Sequence, residues 1–138
     1  YPTDSLGCCV VLTPLGPRLQ IVIAAFCGKT RMVFANHMHV LSVLRNKCCH
    51  GARLYNVVFR PSVQLGRYYL KNHPEVLVDT LFAAVLALVR FLPAREAKEK
   101  FCAELCVCIE KYRSHIVLEC IGFPQNYKQL LKSEAEYA

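Results

Sequence analysis

An apolar run over residues 75–92 constrains the fold of this chain more than any other feature. Proline fits the first turn of a helix but breaks a helix interior, so Pro74 and Pro93 bound a predicted helix over 75–92. Between Asp79 and Arg90 this helix is apolar nearly all round. A membrane span needs about 20 mainly apolar residues, and this run is shorter. We therefore expect either a central core helix or a helix that buries a second face in a dimer.

This helix has more apolar circumference than one small core needs, which predicts an exposed apolar stripe. Such a stripe marks a contact with another protein or with a second copy of the chain. The residues expected at the contact are Leu81, Val85, Leu86, Leu88 and Val89. The prediction is a non-enzymatic protein-interaction or self-association domain of a larger intracellular protein, with a homo-oligomer as one form of the contact.

The chain beyond this run also has helical periodicity. Residues 94–112 repeat an apolar side chain every four positions, which is typical of an amphipathic helix. Residues 115–123 could continue this helix or form a strand, because a short apolar run does not distinguish the two. Pro124 then interrupts the chain, and residues 125–137 predict a short polar terminal helix.

The N-terminal half favours strands, because its apolar runs are short and rich in β-branched residues. Strands are predicted over residues 6–15, 18–26, 30–35 and 53–59. Gly28, between the second and third of these, indicates a hairpin turn. Asn36 is a candidate N-cap for a helix over 37–48, and Gly51 is its expected stop.

This order of elements predicts an α+β fold, in which a small β-rich N-terminal half packs on a helical C-terminal half. A hairpin, a helix and a returning strand resemble the ubiquitin-like β-grasp arrangement in element order. A length of 138 residues suits one domain. We expect residues 1–138 to form it, with a β-rich basic part over 6–60 and a helical part over 75–137.

The positive charge of the chain lies in its first half. The net charge is +7, and residues 1–69 hold eight Lys and Arg against one acid, while residues 70–138 hold nine of each sign. A one-sided basic segment favours anionic partners. The alternative function is therefore binding of RNA, DNA or another polyanion, in which cations contact phosphates. The cations expected to do so are Lys29, Arg31, Arg45, Lys47, Arg53, Arg60, Arg67 and Lys71.

The nine cysteines are an odd number, and most lie in apolar runs. This pattern predicts buried, reduced thiols and an intracellular location, cytoplasmic or nuclear. Cys102 and Cys106 lie one helical turn apart, but no second ligand pair has the spacing of a structural zinc site. We predict neither a metal nor another cofactor.

No motif in the sequence predicts catalysis. Gly28, Lys29 and Thr30 match the end of a P-loop, but Ile23 stands where that loop requires its first glycine. The glutamates of residues 94–112 share their helix with lysines, which is typical of a solvated salt-bridging face. We therefore assign no catalytic residue and predict that the chain is not an enzyme.

Overall fold

Residues 16–137 are described by the computed structural model of the protein, and every regular element in this part of the chain is a helix. The helices are α1 (Pro17–Phe26), α2 (Arg31–Cys49), α3 (Arg67–Asn72), α4 (Leu81–Phe91), α5 (Arg95–Lys111), the 3-10 helix η1 (Leu118–Ile121) and α6 (Tyr127–Glu136). Neither a strand nor an isolated β-bridge occurs between residues 16 and 137.

The predicted α+β fold with its β-grasp-like element order is therefore wrong. The predicted strands 18–26 and 30–35 are helical, in α1 and the start of α2, and residues 53–59 have no regular structure. The predicted strand 6–15 lies outside the described residues. The strand preference of a short β-branched run is weak, and caps and tertiary neighbours override it here.

Two glycines of the N-terminal half end helices. Gly28 has a φ of 65°, and the amides of Gly28 and Lys29 both donate back to carbonyls of α1 at 2.9 Å. These two bonds form the Schellman motif, which requires a left-handed residue just after the helix. Gly51, with a φ of 60°, ends α2 in the same way. The turn expected at Gly28 is thus a helix stop, and the predicted hairpin does not form.

Helix α2 begins earlier than its expected cap. The Thr30 hydroxyl accepts a hydrogen bond from the Val33 amide at 3.4 Å and caps the helix, so Asn36 lies inside it. The Asn36 side chain instead donates to the Ser62 carbonyl and accepts from the Gln64 amide, each at 2.9 Å. Asn36 therefore fastens α2 to the loop before α3.

The other helix predictions agree with the structure in position. Helices occur where residues 37–48, 94–112 and 125–137 predicted them, as α2, α5 and α6. The helix predicted over 75–92 is shortened to α4, because the Thr80 hydroxyl accepts from the Ala83 amide at 3.4 Å and caps it there. The undecided segment 115–123 contains η1.

Helix α4 lies at the centre of the described fold and packs against α2, α5 and α6. Its buried residues are Phe82, Ala83, Ala84, Val85, Leu86, Ala87 and Val89. Helices α5 and α6 also pack on each other, and α1 packs on α2. The central helix is thus covered by three others, while α1 packs on α2.

In the segment between α2 and α3, backbone amides form individual hydrogen bonds with carbonyls elsewhere in the chain. The Phe59 amide donates to the Asp79 carbonyl, and the Val63 amide donates to the Val78 carbonyl, each at 2.7 Å. These bonds hold the segment against the residues that lead into α4. The side chain of Phe59 is buried in the hydrophobic core, although its segment forms no strand.

We expect Gly122→Ala to destabilise the protein more than Gly51→Ala. Both glycines have positive φ, 72° and 60°, so alanine costs about 1 kcal/mol at either position. A Cβ at Gly122 would also overlap the side chain of Thr80, which caps α4, whereas a Cβ at Gly51 meets no atom within 4 Å. Urea unfolding should show a further loss of about 2 kcal/mol for Gly122→Ala. Equal losses for the two variants would contradict this contact.

Candidate functional site

The five residues predicted as an interface lie on α4 and pack inside the chain. Val85, Leu86 and Val89 are buried, and Leu81 and Leu88 are partly buried. Helices α2, α5 and α6 cover the apolar circumference that the sequence assigned to a partner. These side chains therefore present no docking surface in this structure, and their part in a contact stays a prediction.

Lys29, one of the predicted polyanion-binding cations, is held against the fold. Its Nζ lies 3.4 Å from the Arg90 carbonyl oxygen and 4.9 Å from the centre of the Phe91 ring. Burial, together with the charge of Arg90, lowers the pKa of the Lys29 ammonium. Lys29 therefore links the turn between α1 and α2 to the end of α4.

The other seven predicted cations are distributed over several elements. Arg31 and Lys47 lie at opposite ends of α2, about 24 Å apart at the rise of an α-helix. Arg67 and Lys71 lie one turn apart on α3. The exposed members are Arg31, Arg45, Arg53, Arg60, Arg67 and Lys71. Among the residues that the structure describes, none of the eight predicted cations pairs with a carboxylate.

Four aliphatic side chains near the start of the described chain are exposed. Leu19, Ile21 and Val22 on α1 retain 47%, 54% and 63% of their accessible area, and Met32 on α2 retains 73%. Ala24, on the opposite side of α1, is buried where α1 packs on α2. We call Leu19, Ile21 and Val22 the α1 face.

The sequence pattern did not predict the α1 face, because a strand over 18–26 would present different side chains together. Two signals in the sequence could have revealed the helix. Pro17 suits the first turn of α1, and Gly28 suits its stop. Between them the chain is apolar on all sides except at Arg18 and Gln20, so a single packed face leaves apolar residues exposed.

Arg18 lies within the α1 face, whereas Arg31 contacts the opposite side of α1. Arg18 is exposed on the first turn of α1. Arg31 donates from Nε to the side-chain oxygen of Gln20 at 2.8 Å, which holds its guanidinium beside α1. No Asp or Glu occurs in the sequence between Asp4 and Glu75, so α1, α2 and α3 carry no acid that could offset these charges.

A buried ion pair at the end of α4 was also not predicted. Two guanidinium nitrogens of Arg90 donate to the two carboxylate oxygens of Glu134 on α6, at 2.6 and 3.2 Å. Another donates to the Leu65 carbonyl at 3.2 Å, and the guanidinium lies 4.9 Å from the centre of the Tyr69 ring. Burial and the charge of Glu134 raise the pKa of Tyr69 to about 12. The pair therefore joins α4 to α6 and to the start of α3.

Two further polar side chains fasten loops to helices. His37 is fully buried, and its Nε2 lies 2.7 Å from the Gln64 carbonyl oxygen. Burial lowers the pKa of the His37 imidazole, which stays neutral and donates to that carbonyl. Lys98 donates from Nζ to the Tyr137 carbonyl at 2.9 Å and ties α5 to the end of α6.

No thiol of the described residues belongs to a metal site, and the Cys102 thiol is not activated. No group of three His, Cys, Asp or Glu side chains between residues 16 and 137 is placed to hold a metal ion. Cys102 lines a groove of about 250 Å³ between α5 and α6. Burial raises the pKa of its thiol to about 11, so it stays protonated at neutral pH. Contrary to the expected burial, four free thiols are exposed: Cys27, Cys48, Cys49 and Cys108.

Comparison of the chain with protein-family models, with curated proteins and with solved structures found no match. No helix within residues 16–137 is long and apolar enough to cross a membrane. The candidate docking surface consists of the α1 face and Arg18.

We expect Glu134→Gln to cost far more stability than Glu99→Gln. Glu134 and Arg90 retain only 10% and 20% side-chain exposure, so the variant leaves a largely desolvated guanidinium without its counter-charge. The loss should be about 3 kcal/mol. Glu99 pairs with Arg95 at an exposed position on α5, where the loss should be at most about 0.5 kcal/mol. Similar midpoints for the two variants in urea unfolding would show that the buried pair contributes no more than the exposed one.

Proposed function

We propose that this chain is a non-enzymatic, intracellular protein-interaction domain that docks a partner protein through the α1 face. The exposure of the three aliphatic side chains of the α1 face, which lie along one side of a single helix, carries the proposal. Exposed aliphatic side chains that lie together mark sites of interaction.

The energy available at the α1 face supports a docking role. A fully buried Leu, Ile, Val or Met side chain contributes about 1.5–3 kcal/mol relative to the exposed state. Because the three side chains are roughly half exposed or more, a partner that covers them gains about 1 kcal/mol from each. Contacts of this size place the centre of an interface, and surrounding charges orient the partner.

Other features of the site support a non-enzymatic role. Arg90 and Glu134 are engaged with each other, the Cys102 thiol is protonated, and Gly28 serves as a helix stop. None of these groups is thereby positioned as a nucleophile with an adjacent base. The free thiols of the described residues favour a reducing compartment, cytoplasmic or nuclear.

The docking role predicts that Val22→Gln removes binding of selected peptides. Random peptides on phage are enriched on the wild-type chain, and the affinities of the enriched peptides are measured by fluorescence anisotropy. Glutamine has a higher helix propensity than valine, so α1 should stay folded. We expect at least a tenfold loss of affinity, about 1.4 kcal/mol.

The matched control is Val107→Gln, which removes an equally exposed valine (69%) from α5. Enriched peptides should bind this variant as tightly as the wild type. The proposal fails if no peptide is enriched, or if enriched peptides bind Val22→Gln with wild-type affinity.

Polyanion binding is the second candidate function, and the exposed cations favour it. Arg53, Arg60, Arg67 and Lys71 point to solvent on the chain between α2 and the end of α3, and none has an ion-pair partner in the described residues. Cations of this kind are available for phosphates, and their contacts would weaken as salt releases counterions.

This alternative predicts that Arg67→Glu weakens RNA or DNA binding and flattens its salt dependence. Removal of one phosphate contact should lower the slope of log affinity against log salt by about one. Arg113→Glu is the control, because it changes the net charge equally at an exposed position after α5. Filter binding at two salt concentrations measures the affinity of both variants for RNA or DNA and its salt dependence. Equal effects of the two variants, or no binding at low salt, would rule out a specific phosphate contact at α3.

A further inference from the structure

We infer that the α1 face receives an amphipathic helix of a partner protein, in which acidic side chains flank the apolar stripe. The inference rests on the proposed docking function and names the chemistry of the partner. Its basis is Arg18, which lies among the exposed aliphatic side chains of α1 and has no ion-pair partner in the described residues.

The exposed apolar side chains of α1 surround one arginine. At about 100° per residue, Ile21, Val22 and Leu19 span an arc of about 160° around the helix. Arg18 lies within this arc, one turn before Ile21 and Val22, so a partner that covers the aliphatic side chains also meets its guanidinium. An acidic group on the partner is the natural counterpart, because an unpaired charge is costly to desolvate.

The composition of the α1 face favours an acidic helix over other occupants. Membrane-surface binding relies on aromatic anchors and clusters of four to eight cations, whereas this face is aliphatic and has one arginine. A second copy docked on the same face would bring arginines against arginines across a two-fold axis. Nucleic acid would leave the aliphatic side chains without apolar partners.

Two synthetic helical peptides test the inference. Both carry leucine at the spacing i, i+3, i+4 and i+7, with glutamate at the flanking positions in one and lysine in the other. Their affinities are measured by fluorescence anisotropy at low and at physiological salt. The glutamate peptide should bind at least about tenfold more tightly at low salt, and its advantage should shrink at physiological salt.

Charge reversal on α1 provides the decisive comparison. Arg18→Glu should favour the lysine peptide, and a glutamate in the first turn suits the helix dipole, so α1 stays folded. Arg113→Glu should leave the preference for the glutamate peptide unchanged.

The outcomes separate this inference from the docking proposal. If phage-selected peptides lose affinity for Val22→Gln while the glutamate and lysine peptides bind equally, the acidic partner is excluded and the docking face stands. If the glutamate peptide binds Val22→Gln as tightly as wild type, the inferred site is wrong. Val22-dependent binding to phosphatidylserine vesicles, or a Val22-dependent dimer in sedimentation, without preference for the glutamate peptide would overturn the inference in favour of that occupant.

Discussion

The need to cover α4 on every side organises the described part of the molecule. Its eleven residues include one charged side chain, Arg90, and the others are apolar. No single neighbour can bury such a helix, so α2, α5 and α6 surround it. The one charge is accommodated at the helix end, where Glu134 neutralises it and the Tyr69 ring packs against it. The same contact fixes α6 and the start of α3.

This arrangement determines where excess apolar surface remains. Because α2 covers α4, α1 packs on α2, and Leu19, Ile21 and Val22 of α1 remain exposed. The exposed apolar side chains that the sequence predicted on α4 therefore occur on α1 instead. The surrounding charge has a related origin, since the chain carries no acid from residue 5 to residue 74. Exposed aliphatic side chains and positive charge thus occur together on α1. This combination supports a partner whose contact surface is apolar and acidic.

The sequence predicted the helical half well and the N-terminal half poorly, for physical reasons that particular residues make clear. Pro93 and Pro124 bound long periodic segments, and long periodicity identifies helices reliably. Ile21, Val22 and Ile23 favour a strand locally, and the Schellman bonds around Gly28 override that preference in the fold. The composition gives the number of cations. The distance between Arg31 and Lys47 along α2 and the burial of Lys29 depend on the folded structure, which the composition does not contain.

Solvent paramagnetic relaxation of methyl groups tests the central claim most directly, since it compares the exposure of α1 with that of α4. The protein is labelled at the methyl groups of Ile, Leu and Val, and spectra are recorded with and without a soluble gadolinium chelate. The methyl signals of Ile21 and Val22 should lose intensity strongly, while those of Leu86 and Val89 should be unaffected. Attenuation at Leu86 and Val89 with protection at Ile21 and Val22 would contradict the account.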